Sequence, residues 1–293
     1  MRSVSKTARV GMNPEVTICI LVFGDFLDLA HRVCESIVMC SSGSVCHLVV
    51  GANAPGKATL RYLEQLQSDG LIDRLVVSTA NINKCPMMRR MFEGIETEFT
   101  WWFDDDSFIT EPGAPVRWLQ EARYSPPSTV AWGQLASCNH PHDFTELADP
   151  GKFVRTAKWY RGLPPPSWRP GGKGEFNFEG RGTGDGRWFF LTGGCWMMRT
   201  SAIKKLGWPD PRLKKMGDDV FLGEAIRQNG WELGRIRPLG VAINTETRRG
   251  EPGFVASTTT RSDDTNTTTG CTQAKPDSTA SLVNTDCAQF TPM

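Results

Sequence analysis

The chain has 293 residues, 39% hydrophobic and 22% charged, which suits an ordinary globular protein of one large domain or two small ones. A net charge of +1 excludes a global polyelectrolyte signal for nucleic acid or membrane, so any such binding needs a local patch. No segment approaches the run of about 20 apolar residues that spans a bilayer, and the basic N-terminus lacks the apolar centre of a signal peptide, so a cytoplasmic location is expected.

Residues 1–14 read as a flexible leader. VTICILVF (16–23) is a continuous apolar run of strand length, after which Leu27, Ala30, Cys34, Ile37 and Val38 recur at helical spacing. HLVV (47–50) gives the next strand, Leu60, Leu63 and Leu66 a helix ended by Asp69-Gly70, and LIDRLVVS (71–78) a third strand. Met87, Met88, Met91, Phe92 and Ile95 mark another helix, followed by the strand-like FTWWF (99–103). A helix near 115–123 and a strand at 129–134 precede an irregular excursion over 136–188, rich in Pro and Gly. Order resumes with WFFLTGGCWMM (188–198), a helix near 200–206, DDVFLGEAIRQNG (218–230) and a last strand, WELGRIR (231–237). Beyond residue 251 the Thr/Ser-rich chain has few apolar residues and reads as a disordered tail to 293. Strands alternating with helices imply βαβ units and a mostly parallel sheet within one domain, 15–250. The 9 cysteines form neither a CxxC motif nor a disulfide framework, and Cys19 and Cys195, set among apolar residues, read as buried free thiols.

Three carboxylates, Asp104, Asp105 and Asp106, terminate the aromatic strand. Strand alternation sends Asp104 and Asp106 to one side and Asp105 to the other. Converging carboxylates repel unless a proton or cation intervenes, and hard divalent cations favour such oxygen ligands together with substrate phosphates. Helix capping or turn formation would use one such aspartate rather than three. In parallel sheets, ligands bind at the carboxyl ends of strands, where these residues fall.

Two more signals follow. Gly193-Gly194, directly after a second aromatic strand, would let backbone lie close to a ligand or simply turn the chain. Asp218-Asp219 opens a helix, where acids favour the positive end of the macrodipole, and either could alternatively serve as a base in a cleft.

FTWWFDDDSF, Thr192-Gly193-Gly194-Cys195-Trp196 and Gly217-Asp218-Asp219-Val220-Phe221-Leu222-Gly223, in this order, resemble glycosyltransferases of the GT-A fold. The arrangement is similar to the inverting family-2 enzymes, and the motifs also resemble the Fringe-like and β-1,3-galactosyltransferase group, over roughly residues 16–237. The resemblance implies an α/β, Rossmann-like GT-A domain whose 136–188 segment is an acceptor-side insertion. It implies Mn²⁺ or Mg²⁺ and a nucleotide-sugar donor, a UDP-sugar first among them, serving transfer of a hexose or pentose. Asp106 would contact the metal, with Asp104 contacting the metal or the sugar–ribose end. Asp219, or else Asp218, would deprotonate the acceptor. Phe23, Gly24 and Asp25, and the stretch Gly51 to Asn53, would hold the nucleoside, while Arg89 or Arg90 supplies a basic donor-site residue. Asp105, Gly193 and Gly194 complete the donor-binding set. Several such families add a late histidine ligand, but here His31, His47, His140 and His142 all precede Asp219, leaving Asn244, Glu246, diphosphate or water to fill the shell.

Within 152–188, Lys152, Arg155, Lys158, Arg161, Arg169, Lys173, Arg181 and Arg187 interleave with Phe153, Trp159, Tyr160, Trp168, Phe176, Phe178 and Trp188. Cations for phosphates and aromatic faces for bases suit an extruded nucleotide, as sugar-stacking aromatics with solvated charges would suit a glycan. With the GT-A motifs, this loosely resembles viral enzymes that glycosylate hydroxymethylated pyrimidines in DNA, which would place the chain in the cytoplasm of a virus-infected host. Glycan, lipid or protein acceptors, or a non-catalytic GT-A-like nucleic-acid-binding role, are the competing readings. A sugar-nucleotide pyrophosphorylase would need a glycine-rich phosphate loop that Gly24-Asp25-Phe26 does not supply.

Overall fold

The fold is seen in a computed structural model that describes residues 14–40, 46–138, 147–163, 187–237 and 239–243, with the backbone alone of 176–177. The leader up to residue 13, the tail at 251–293, His140, His142, Asn244, Glu246 and parts of the 136–188 segment lie outside the described residues.

The opening half follows the expected alternation: β1 (Val16–Phe23), α1 (Leu27–Cys40), β2 (Cys46–Asn53), α2 (Lys57–Ser68), β3 (Arg74–Ser78), α3 (Lys84–Phe92) and β4 (Phe99–Asp104). Then come β5 (Phe108–Ile109), α4 (Ala114–Tyr124), β6 (Thr129–Cys138), α5 (Pro150–Arg155), β7 (Phe176–Asn177), β8 (Trp188–Arg199), α6 (Thr200–Leu206), α7 (Asp218–Gln228), β9 (Glu232–Arg235) and β10 (Val241–Ala242).

The main sheet runs β3-β2-β1-β4-β8-β6, with β7 and β9 both pairing the far side of β6. It is parallel through β3-β2-β1-β4, β8 is antiparallel to both neighbours, and β9 is parallel to β6. The strand order grows outward from β1 to β3 and then reverses to β4. That reversal opens a crevice at the carboxyl ends of β1 and β4, the expected place for a ligand in an open α/β sheet. Asp104 terminates β4 there.

Side-chain parity sorts two cores on the two faces of the sheet. Ile18, Ile20, Val22, Trp101 and Phe103 pack with Val33 and Ile37 of α1, Leu63 of α2 and Trp118 of α4. Cys19, Leu21, Trp102 and Trp196 pack with Met87, Met88 and Met91 of α3, Ile203 of α6 and Phe221 of α7. Strands covered on both faces read as unbroken apolar runs, which is why β1 and β4 were visible without alternation. Cys19 and Cys195 are fully buried and unbridged. Among the described residues, no helix is long and apolar enough to cross a membrane.

One glycine sets the height of α7 above the sheet. A Cβ on Gly223 would lie 2.0 Å from the Phe189 carbonyl oxygen and 2.9 Å from the Phe190 Cα, both backbone atoms. Gly223→Ala is therefore expected to lower stability by about 1–3 kcal/mol, as overpacking does when backbone must move. A urea midpoint equal to that of the unmodified protein would show instead that α7 lifts from β8 freely.

Candidate active site

Asp104 shares parity with Trp102, so its carboxylate lies on the face covered by α3 and α7. Trp102 Nε1 donates to Asp104 Oδ1 at 3.0 Å, fixing the carboxylate against the indole two residues back. The β4–β8 ladder ends at Phe103 and Cys195, one residue short of Asp104 and Gly194. Gly193 and Gly194 thus lie beside the end of the carboxylate strand.

Gly217, at φ 84°, turns the chain into α7 and puts Asp218 and Asp219 in its first turn. Only a residue tolerant of left-handed backbone suits this position. Asp218 is buried at 5% exposure and Asp219 is half-buried. Asp219 Oδ1 accepts the Val220 N–H at 2.8 Å, while its Oδ2 would lie 3.3 Å from a Cβ added to Gly193. A side chain at Gly193 would therefore press on the Asp219 carboxylate. Asp104, Gly193, Gly194, Asp218 and Asp219 line one cleft of about 240 Å³, together with Lys84, Lys215, Met216 and Gly217.

Lys84 was not legible as a site residue. Its ammonium reaches Asp104 Oδ2 at 3.0 Å, Asp218 Oδ2 at 3.2 Å and the Gly193 carbonyl oxygen at 3.2 Å. Burial alone would depress its pKa, but the Asp104 and Asp218 carboxylates outweigh it and hold the ammonium well above the usual lysine range. The residue before it, Asn83, adopts φ 70°, with its N–H bonded to Asn81 Oδ1 at 2.8 Å. Left-handed backbone at a non-glycine residue is rare and costs about 1–3 kcal/mol, and it is concentrated at functional positions. Here it delivers Lys84 to the carboxylates at the first residue of α3.

The carboxylates differ in their electrostatics. Burial, then the neighbouring Asp218, push Asp219 up to about 7 against the opposing Lys84 charge. Asp218 is also raised, by burial first, with Lys84 opposing. Burial, then Asp104, push Asp106 up to about 6, against Lys84 and Arg32. Asp106 is half-buried in the turn after β4 and is not part of the cleft lining. Asp105, in contrast, is buried and accepts the Phe23 N–H at 2.9 Å through Oδ2. The middle carboxylate thus ties the end of β1 to the turn after β4. The three-way alternation also ends early, because β4 stops at Asp104 and Asp105 and Asp106 are turn residues.

The loops expected to hold a nucleoside do meet. Gly24 N–H donates to the Asn53 carbonyl at 3.2 Å and Gly56 N–H to the Gly24 carbonyl at 3.2 Å, joining the ends of β1 and β2. Asp25 presses on Gly56, where a Cβ would fall 1.7 Å from its Oδ1, and Thr59 Oγ1 donates to the same oxygen at 3.4 Å. Phe23, Gly24 and Asp25 therefore edge the switch-point crevice. Asn53 is different: its side chain, 2% exposed, donates to Asn81 Oδ1 at 3.1 Å and accepts the Ile82 N–H at 3.0 Å. It braces the β3–α3 connection that delivers Lys84, rather than presenting its amide to a ligand. Arg89 also meets backbone carbonyls. Its guanidinium donates to the carbonyls of Asp210 at 3.2 Å and Leu213 at 3.4 Å, so it anchors the segment that carries Lys215 and Met216 to the cleft. Arg90 is exposed.

Among the described residues, no three His, Cys, Asp or Glu side chains converge as a ready-made metal centre. Of the 152–188 aromatics, Phe153, Trp159 and Trp188 are buried, at 6%, 1% and 2% exposure, and the Phe153 and Trp188 rings pack on Phe221. They belong to the core, which withdraws them from base stacking. Lys152, Arg155, Lys158 and Arg161 are exposed, and Arg212 ties this stretch to the cleft-lining segment through Thr156 Oγ1 at 2.7 Å and Asp210 Oδ2 at 2.8 Å. Arg169, Lys173, Trp168, Phe178 and Arg181 lie outside the described residues.

A model of the family described as Glycosyltransferase like family 2 matches residues 14–261. Sequence comparison with curated proteins gives no match. Among solved structures, the chain resembles a mannosyltransferase from Pyrobaculum calidifontis in complex with GDP-Man and Mn²⁺, with a TM-score of 0.50 and 13% identity. That match covers 78% of this chain and 56% of the mannosyltransferase, so the chain spans little more than half of its length. Glucosyl-3-phosphoglycerate synthase from Mycobacterium tuberculosis, in complex with Mn²⁺, UDP and glucosyl-3-phosphoglycerate, matches with a TM-score of 0.43 and 11% identity, over 76% of this chain and 69% of that one.

Proposed function

Because the chain belongs to the glycosyltransferase-like family 2, we propose that it moves a sugar from a nucleotide-sugar donor to an acceptor hydroxyl, inverting the anomeric carbon. The observation that carries this reading is the meeting of two carboxylate sets on one cleft, Asp104 from the end of β4 and Asp218-Asp219 from the start of α7. Asp219 is the base: its Oδ2 faces the glycine-lined wall, and its raised pKa suits a group that must take a proton near neutrality. It accepts the hydroxyl proton as the acceptor oxygen bonds to the anomeric carbon, and the bond from that carbon to the diphosphate breaks on the opposite face. Gly193 and Gly194 leave room for the sugar between the two carboxylate sets. Phe23, Gly24 and Asp25 border the nucleoside.

Asp104 and Asp106 fit a hard divalent cation, Mn²⁺ or Mg²⁺. Burial and then the neighbouring Asp104 raise the Asp106 pKa, as expected where two carboxylates approach each other, and such a pair would leave the remaining shell to diphosphate oxygens and water. When bound, such an ion neutralises charge on the departing nucleotide diphosphate. A UDP-sugar is the donor proposed first.

The exposed Lys152, Arg155, Lys158 and Arg161 support an anionic acceptor, and a hydroxymethylated pyrimidine in DNA is the one proposed. The test is incubation with a panel of UDP- and GDP-sugars, Mn²⁺, and hydroxymethylated or plain DNA, followed by digestion to nucleosides and mass spectrometry. A nucleoside heavier by one hexose or pentose is the expected result. Donor hydrolysis without transfer to DNA would move the acceptor to a glycan, lipid or protein. No turnover of any donor would leave a nucleic-acid-binding role in its place.

A further inference from the structure

Lys84 puts a permanent positive charge where the carboxylates of the two sets approach each other. It is held by three oxygen atoms, Asp104 Oδ2 at 3.0 Å, Asp218 Oδ2 at 3.2 Å and the Gly193 carbonyl at 3.2 Å. Its approach is fixed by the left-handed Asn83 and by the Asn81–Asn53 brace, so the contact is not a chance excursion of a surface side chain. Asp104 is the shared member, bonded by Lys84 on one oxygen and by Trp102 on the other.

A divalent ion bound to Asp104 would sit about 2.1 Å from a carboxylate oxygen. An ammonium bonded to the same carboxylate would then lie a few ångströms from the ion, and two cations so close repel strongly in a half-buried cleft. The two cannot hold Asp104 in the same way at once unless a further anion joins them. The donor diphosphate is such an anion, since it can accept from the ammonium and ligate the ion together.

We propose that Lys84 is a positioning residue that makes divalent-cation capture depend on the donor: it neutralises Asp104 and Asp218 in the free protein and transfers its bonds to the diphosphate when donor and ion enter together. This rests on the donor-and-metal reading above and deepens it. Without Lys84, the carboxylates should take up a divalent ion unaided.

The test is titration of Mn²⁺, followed by the loss of its free electron-spin resonance signal, on the full chain and on Lys84→Met, each with and without UDP and GDP. The unmodified protein should bind Mn²⁺ at least tenfold more tightly when a nucleoside diphosphate is present. Lys84→Met should bind Mn²⁺ at least tenfold more tightly than the unmodified protein in its absence, and should lose most of the dependence on diphosphate. Its melting temperature should fall in chelator and recover with Mn²⁺. Lys84→Gln keeps a hydrogen-bond donor without the charge, and should behave as Lys84→Met does if the latter does not fold. Donor-free affinity in both variants equal to that of the unmodified protein overturns the role of Lys84 alone. If the unmodified protein captures no Mn²⁺ even with diphosphate, the metal-dependent reading itself fails.

Discussion

Asp219→Ala should lower the transfer rate by on the order of 10²–10⁴-fold, the range that a positioned general base contributes. The geometry favours Asp219 over its neighbour for a simple reason. Asp218 is buried and bonded to Lys84 at 3.2 Å, whereas Asp219 spends one oxygen on the helix start and leaves the other facing Gly193. The fold should survive, because the substitution removes only one bond to the α7 N-terminus, to Val220 N–H. The pH profile gives a second reading of the same role. A base with its pKa pushed up to about 7 is protonated, and idle, below that pH. The rate for the unmodified enzyme should therefore rise about tenfold per pH unit below 7 and level off above it. Asp219→Asn should show low activity with that limb gone. Turnover near the unmodified rate in either variant would move the base to Asp218 or elsewhere.

Burial decides which elements of this chain are legible in its sequence. β1, β4 and β8 are covered on both faces, so their apolar runs were unmistakable, and α3 declared itself through Met87, Met88 and Met91. Among the described residues, the two-residue strands β5 and β10 pair with each other alone, and they carry too few residues to show any pattern. β6 runs on to Cys138, beyond the expected end at 134, because pairing with β8 continues past a register shift between Gly133 and Leu135.

The candidate site is legible in the sequence where a residue type suits ligand chemistry better than it suits a strand or helix. Asp104, Gly193, Gly194, Asp218 and Asp219 were all named from sequence, and all line one cleft. Other polar and aromatic residues of the same segments are engaged by the scaffold, which their residue types do not report. Asp105 is spent on Phe23, Asn53 on Asn81 and Ile82, and Arg89 on the carbonyls of Asp210 and Leu213. Trp159 and Trp188 are core residues although composition and order suit a stacking surface, because neither of those reports burial. Lys84 escaped notice for the opposite reason. A lysine at the start of a helix reads as a solvated charge, and only the β3–α3 turn shows it aimed inward. The Asn81–Ile82–Asn83 spacing was the one available hint, since asparagine tolerates left-handed backbone.

Asp106→Asn should lower metal-dependent transfer by about two to three powers of ten and yet leave the metal-free protein at least as stable as before. The first half follows from the donor set: losing one of two proposed carboxylate ligands removes several kcal/mol of charge stabilisation, about two to three powers of ten in kcat/KM. The second follows from the raised pKa, which burial and then Asp104 push up to about 6. A carboxyl whose folded pKa exceeds its unfolded value contributes stability below the unfolded pKa and loses it as pH rises through the folded one. At neutral pH the ionised Asp106 therefore costs the metal-free fold on the order of 2–3 kcal/mol, partly relieved by solvent at this half-buried site. In chelator, the unmodified protein should gain stability as pH falls from about 7 towards 4 through this group, and Asp106→Asn should lack that component. Mn²⁺ with a nucleoside diphosphate should raise the melting temperature of the unmodified protein and leave that of Asp106→Asn unmoved. A site selected for stability alone would not keep two such carboxylates side by side; one that must hold a cation and a diphosphate carries that cost in its empty state. A variant that melts well below the unmodified protein in chelator would show that Asp106 supports the turn rather than a ligand.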